Sequence, residues 1–98
     1  MKRLVYLSLA ETELTEAAQF YDEREPGLGK MFLEAVENAA ERIRNDPERW
    51  PFFEKPVRSY RVLPFPYRLL YRVFPDRVQI VSVFHLSRRP GSWKSRLG

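Results

Sequence analysis

The sequence predicts an α+β fold of the order β-α-α-β-β-β, with a helical hairpin packed on one face of an antiparallel sheet. Apolar residues recur at helical spacing through two stretches of the first half of the chain, and strand-like apolar stretches fill most of the second half. Proline and glycine separate these stretches where a chain turns. We expect residues 1–98 to form a single domain, because 98 residues suffice for one modest core.

The first two elements are a short strand and an amphipathic helix. The apolar run RLVYL at 3–7 predicts the strand. The sequence S-L-A-E that follows fits a capping box, in which Ser8 and Glu11 each bind the other's backbone N–H. Glutamates, including Glu13 and Glu16, are expected to form the solvated face of the helix. Its apolar face is predicted to consist of Ala10, Leu14, Ala17, Phe20 and Tyr21.

A second helix follows after a turn. The P-G-L-G sequence at 26–29 ends the first helix, and Phe32, Val36 and Ile43 then repeat at the same period. Asp46 precedes a proline, which disfavours the α conformation and ends the second helix. Two helices joined by a short glycine-containing turn form an αα-hairpin.

Three consecutive strands are predicted after a proline-rich loop at 47–56. They occupy residues 57–63 and the two halves of 65–85, which meet at a turn around Pro75 and Asp76. If these two residues form a two-residue hairpin loop, the numbers of paired residues sum to 151. The face beneath the helices is then predicted to consist of Tyr67, Leu69, Tyr71, Val73, Val78, Ile80, Ser82 and Phe84.

The opposite face of this hairpin carries the charges. In the same register, His85 lies on this face and diagonal to Arg68. We therefore expect the arginines and the histidine on the side of the sheet away from the helices. The full predicted set is Arg68, Arg72, Arg77, Gln79 and His85, with Leu70, Val81 and Val83 between them.

Charge is segregated along the chain. Residues 1–48 hold six cationic and eleven acidic side chains, for a net charge of −5. Residues 49–98 hold eleven cationic and two acidic side chains, for a net charge of +9. The basic half is suited to a polyanion or an acidic partner, although the two halves can also partly neutralise each other within the fold.

Composition excludes several classes of site. The chain has no cysteine and one histidine, so we expect no disulfide, no metal site and no cofactor. The first residues lack the apolar length of a signal peptide or membrane span. We expect a cytoplasmic protein.

Candidate functional residues are mainly arginines of the basic half. The planar guanidinium group of arginine can donate two parallel hydrogen bonds to a phosphate or carboxylate, and a histidine can transfer a proton near neutral pH. The alternative is that the face is merely polar and that His85 makes a structural hydrogen bond. The candidates are Arg61, Arg68, Arg72, His85, Arg88 and Arg89.

Several motifs, in this order, resemble the RelE/ParE superfamily of toxins from bacterial type II toxin–antitoxin modules, which include plasmid-stabilisation systems. The resemblance covers nearly the whole chain. The motifs are A-x-x-E-L-x-x-A-x-x-F-Y at 10–21, G-L-G-x-x-F at 27–32, W-P at 50–51, R-x-L-x-F-P-Y-R-L-L-Y-R-V at 61–73, I-V-S-V-F-H at 80–85 and R-R-P-G-S-W at 88–93.

The resemblance implies one of two activities. ParE-like members inhibit DNA gyrase, and RelE-like members are mRNA interferases that cut mRNA on the ribosome. The chain departs from the RelE pattern, since it has no lysine cluster on the middle strand and no tyrosine close after His85. The long hairpin with its G-L-G turn is more similar to ParE, and we expect gyrase inhibition, with an antitoxin as partner.

The two activities assign the residues differently. For gyrase inhibition, the target-binding residues are expected to be Arg61, Arg68, Arg72, Arg88 and Arg89. For mRNA cleavage, Arg61 and Arg68 hold the scissile phosphate and His85 transfers a proton. A non-toxic RNA-binding domain is a third alternative, although the arginine face lacks the stacking aromatic residues typical of sheet-based RNA binders.

Overall fold

The chain folds into a helical hairpin and a five-stranded sheet, seen in a computed structural model that describes residues 2–89 and 91–98. The strand order is β1-β5-β4-β3-β2; β1 runs parallel to β5, and the other neighbours are antiparallel. The α+β prediction is confirmed, with an additional short strand, β2, inside the predicted loop. The elements are β1 (Arg3–Tyr6), α1 (Ser8–Arg24), α2 (Leu28–Asn45), β2 (Phe52–Glu54), β3 (Val57–Arg61), β4 (Tyr67–Val73), β5 (Arg77–His85) and a 3-10 helix (Lys94–Leu97).

Two parts of the sequence predictions fall on residues outside this description. They are Met1 of the predicted domain and Pro90 of the motif at 88–93. Within the part of the chain that the structure describes, the helices fall short of the length and apolarity needed to cross a bilayer.

The start of α1 differs from the predicted capping box. The N-cap residue is Leu7, which makes no side-chain cap, and Ser8 already lies in the helix. The Leu7 N–H donates to the carbonyl of Ile80 at 3.0 Å, so the sheet fixes the chain one residue before Ser8. Helix α1 therefore begins directly from β1, and the predicted cap between Ser8 and Glu11 is wrong.

The helical hairpin turns tightly at Gly27 and Gly29. Gly27 has a φ of +92°, a conformation that glycine adopts readily. Oδ1 of Asp22 accepts from the N–H groups of Gly27 and Gly29, each at 3.0 Å, and so satisfies donors at the start of α2. A Cβ on Gly29 would lie 2.4 Å from the carbonyl oxygen of Ala18. The close approach of the two helices thus requires glycine at position 29.

The β4–β5 hairpin follows the predicted register only in part. Val73 pairs with Val78 and Tyr71 with Ile80, as expected for a two-residue loop. The register then shifts by one, so that Leu70 pairs with Ser82, and Val81 is an extra residue in β5. Such a β-bulge turns every following side chain to the other face. The predicted faces are therefore wrong for Ser82, Val83, Phe84 and His85.

Two apolar clusters result, one on each face of the sheet. The larger lies between the helices and the sheet and includes Phe32, Ile43, Leu69, Tyr71 and Val83. The smaller lies on the opposite face and consists of Val57, Leu70, Val81, Phe84 and Trp93. The face predicted to be open is thus partly buried, because the segment that carries Trp93 folds back over it.

We predict that Gly29→Ala lowers the free energy of unfolding by about 1–3 kcal/mol, because the new methyl group overlaps the carbonyl of Ala18. Urea denaturation measures the change. Lys30→Ala, at the exposed neighbouring position, is the control and should change stability by less than about 0.5 kcal/mol. Equal stability of the two variants would contradict the close helix approach.

Candidate target-binding face and the Glu13 network

Arg61 and Arg68 lie side by side on the face of the sheet away from the helices. They are directly paired across β3 and β4. Nη1 of Arg68 donates to the hydroxyl of Ser59 at 3.2 Å, and its guanidinium carbon lies 5.7 Å from the centre of the Phe53 ring. Like charges directly opposite each other destabilise a sheet. This pair is therefore suited to an anionic group that bridges the two guanidinium ions.

The positive charge on this face has little internal compensation. Among residues 2–89 and 91–98, no salt bridge includes Arg61, Arg68 or Arg72, and the guanidinium of Arg72 instead lies 4.9 Å from the Phe74 ring. The same residues contain no group of three or more His, Cys, Asp or Glu side chains that could hold a metal ion. Unpaired arginines of this kind are suited to carboxylate or phosphate groups.

His85 lies on the other side of the sheet, so the predicted grouping with Arg68 is wrong. The bulge at Val81 pairs His85 with Tyr67, and the two rings contact edge-to-face with centroids 4.9 Å apart. Tyr67 packs against the larger core cluster, and burial raises the pKa of its hydroxyl. His85 therefore does not share a face with Arg61 and Arg68.

The hydrogen bonds of His85 fix its tautomer. Its Nδ1 accepts from the backbone N–H of Ser87 at 3.0 Å and lies 2.7 Å from the Ser87 hydroxyl oxygen. A backbone N–H can only donate, so Nδ1 carries no proton and the ring is protonated at Nε2. Both contacts of Nδ1 are therefore local, with a residue two positions further along the chain.

Residues 91–98, called here the 91–98 segment, lie across the arginine face. The side chain of Trp93 is buried in the smaller apolar cluster, and its ring centroid lies 6.2 Å from that of Phe53. Nζ of Lys94 lies 2.8 Å from Oε1 of Glu54 in β2. The segment therefore covers apolar residues of the sheet that the sequence placed in solvent.

Glu13 is the most extensively bonded side chain near this face. Its Oε1 accepts from the Ser82 hydroxyl at 3.0 Å and from the Val83 N–H at 3.1 Å. Arg96 binds both carboxylate oxygens, at 2.8 and 2.9 Å, and Arg88 donates to Oε2. The expectation that Glu13 belongs to a solvated face is wrong, whereas Glu11 and Glu16 are exposed as expected.

The two tail arginines differ in their surroundings. The Arg88 side chain is 44% exposed although it pairs with Glu13, so it is oriented but accessible. Arg89 is exposed. Of the predicted target-binding residues, the structure brings Arg61 and Arg68 together and holds Arg88 in place.

Three residues that organise this region, Glu13, Trp93 and Arg96, were not predicted from the sequence as part of it. One signal for Glu13 was available, because it lies three residues after Ala10 and four before Ala17, both of which are buried. A charged residue at apolar helical spacing is expected to be paired. Its partners lie about 70 to 83 positions away in sequence, and local pattern does not reveal them.

The structure is that of a small α+β protein with a helical hairpin on one face of the sheet and a basic opposite face. The family described as "ParE toxin of type II toxin-antitoxin system, parDE" matches residues 4–90, and the chain belongs to this family. The predicted resemblance to RelE/ParE toxins is thereby confirmed. The 91–98 segment lies outside the matched residues.

A solved structure shares the fold. It is described as "Chromosomal ParDE TA system from P. aeruginosa", is 18% identical in sequence and superposes with a TM-score of 0.66. The match covers 89% of this chain and 98% of that chain. Comparison with curated proteins gives no significant match.

We predict that the neutral His85 ring carries its proton on Nε2. Long-range ¹H–¹⁵N correlation spectra at about pH 8 distinguish the two tautomers, and the chain has only one histidine, so the signal is unambiguous. Ser87→Ala removes the hydroxyl contact but keeps the backbone donor, and it should leave the tautomer unchanged. A proton found on Nδ1 would contradict the described contacts.

Proposed function

We propose that this protein is the toxin of a type II toxin–antitoxin pair, that it arrests growth by inhibiting DNA gyrase, and that a cognate antitoxin neutralises it. Membership of the ParE toxin family supports the toxin role. The separation of His85 from Arg61 and Arg68 supports inhibition by binding over cleavage of mRNA.

The positions of the candidate residues do not favour cleavage. A general acid or base must come within about 2.6–3.2 Å of the reacting group, or act through one water molecule. A phosphate held between Arg61 and Arg68 lies on the face away from the helices, whereas His85 packs on Tyr67 on the helix side. Inhibition by binding requires only a complementary surface.

The arginine face fits an acidic surface on the target. Arg61, Arg68 and Arg72 have no carboxylate partner among the described residues, so each can bind one on another protein. Arginine binds carboxylate through two parallel hydrogen bonds, which gives such contacts both strength and orientation. The expected partner surface on gyrase is rich in aspartate and glutamate.

The expected antitoxin partner has a different surface available. The helical hairpin exposes the apolar side chains of Leu9, Phe20, Met31 and Leu33. A flexible segment with acidic and apolar residues can fold onto these side chains and extend toward the basic face. Such binding would neutralise charge and remove apolar surface from water in one step.

We predict that induced expression in bacteria stops thymidine incorporation before methionine incorporation, because inhibition of gyrase blocks replication first. Pulse labelling of the same culture measures both. Earlier loss of methionine incorporation would favour the mRNA endonuclease instead. Unchanged incorporation of both would contradict the toxin role and leave a non-toxic RNA-binding domain as the alternative.

We predict that Arg68→Ala weakens inhibition of gyrase supercoiling by about tenfold or more, as expected for an arginine central to an interface. Inhibition by His85→Ala should stay within about twofold of that by the unsubstituted protein, because its contact with Tyr67 lies on the helix side and not on the arginine face. A supercoiling assay with purified proteins gives both values.

The matched control is Arg24→Ala, which removes an exposed arginine from α1 that stacks on Phe20. It changes the net charge by the same amount and should leave inhibition unchanged. If Arg24→Ala weakens inhibition as much as Arg68→Ala, net charge and not the arginine face accounts for binding.

A further inference from the structure

The carboxylate of Glu13 is buried at the point where α1, β5 and the 91–98 segment meet. Its side chain is only 7% exposed, and an ion buried to this extent must be paired and hydrogen-bonded to be tolerated. Ser82, Val83, Arg88 and Arg96 supply the donors. A solvent-facing glutamate on α1 would serve helix formation equally well, so the burial of Glu13 points to another role.

Arg96 connects the 91–98 segment to two buried acceptors. It binds both oxygens of Glu13 and also donates to the carbonyl of Val81 at 3.0 Å. Val81 is the extra residue of the bulge, and its carbonyl needs a partner from outside the strand ladder. The segment therefore completes hydrogen bonds that the sheet alone leaves open.

The segment is held by polar contacts in addition to apolar burial. Trp93 is 1% exposed, but its Nε1 has no hydrogen-bond partner among the described residues, which opposes its burial. The pair of Lys94 with Glu54 is half-exposed and contributes little. The Glu13–Arg96 pair is the buried charged contact that joins the segment to α1.

The docked segment is continuous with the arginine face. The Phe53 ring lies 6.2 Å from the ring of Trp93 and 5.7 Å from the guanidinium carbon of Arg68. The same carboxylate that holds Arg96 also orients Arg88, which remains accessible. One buried group therefore controls the position of cationic side chains at this end of the face.

We propose that Glu13 is a positioning residue for target binding: it docks the 91–98 segment through Arg96 and orients Arg88, and the docked segment forms one interaction surface with Arg61 and Arg68 for an acidic region of the target protein. Glu13 itself does not touch the target. The inference has two halves: the docking of the segment by Glu13 (the docking half) and its contribution to target binding (the target half). Only the target half rests on the proposed function.

The test compares Glu13→Gln and Arg96→Met with the unsubstituted protein in two measurements. Hydrogen exchange followed by mass spectrometry reports the docking of the segment, and affinity for purified gyrase reports target binding. We expect exchange in residues 91–98 to accelerate about tenfold or more, with α2 and β4 unchanged, and affinity to fall about tenfold in the same folded variants.

Two further variants keep the result interpretable. Glu16→Gln removes an exposed carboxylate from the same helix and should change neither measurement. Arg96→Lys keeps the charge but loses the bidentate contact with Glu13. Its exchange rate and its affinity should therefore fall between those of Arg96→Met and the unsubstituted protein. If Glu13→Gln fails to fold, Arg96→Met still tests the inference, because Ser82, Val83 and Arg88 continue to satisfy Glu13.

Any other experimental outcome contradicts one or both halves of the inference. Unchanged exchange in both variants shows that Glu13 does not dock the segment. Faster exchange with unchanged affinity shows that the segment is not part of the target surface. If the unsubstituted protein itself does not bind gyrase, the proposed function and the target half fail, and the exchange comparison still decides the docking half.

Discussion

The extra residue at Val81 in β5 is the constraint on which much of this structure depends. Up to Ile80, β5 pairs with β1 on one side and with β4 in the register of a two-residue hairpin loop. Beyond Ile80, β1 leaves the sheet and the register with β4 shifts by one. Because strand side chains alternate with a period of two, this shift turns Val83 into the main core and Phe84 out of it. The bulge also leaves a carbonyl and an edge N–H that need partners from elsewhere.

Those partners come from α1 and from the 91–98 segment. Glu13 accepts the Val83 N–H at the sheet edge that β1 no longer covers, and Arg96 donates to the Val81 carbonyl. The carboxylate and the guanidinium then satisfy each other. Removing one member of this group leaves its buried partners with fewer hydrogen bonds, which costs free energy. Helix, sheet and segment are therefore energetically coupled at this point.

The two faces of the sheet differ in composition. The helix side is a continuous apolar core that ends at Tyr67 and His85. The other side combines a small apolar cluster around Trp93 with arginines that have no internal carboxylate partner among the described residues. A surface of this composition favours association with an acidic protein. The only histidine of the chain is not among these arginines, because the bulge at Val81 places it on the helix side.

The sequence by itself determined the helical hairpin, the β4–β5 turn and the charge asymmetry. Helical periodicity, Gly27 and Pro47 are local signals, and the face assignment of Tyr71, Val73, Val78 and Ile80 follows from strand alternation next to the turn. Tertiary structure alone decided the faces beyond Ile80, because V-S-V-F fits either register equally well. It also decided the partners of Glu13 and the burial of Trp93, since the residues that contact them lie far away in sequence and carry no local pattern. The arginines were predictable as a basic face, but the exclusion of His85 from it required the bulge.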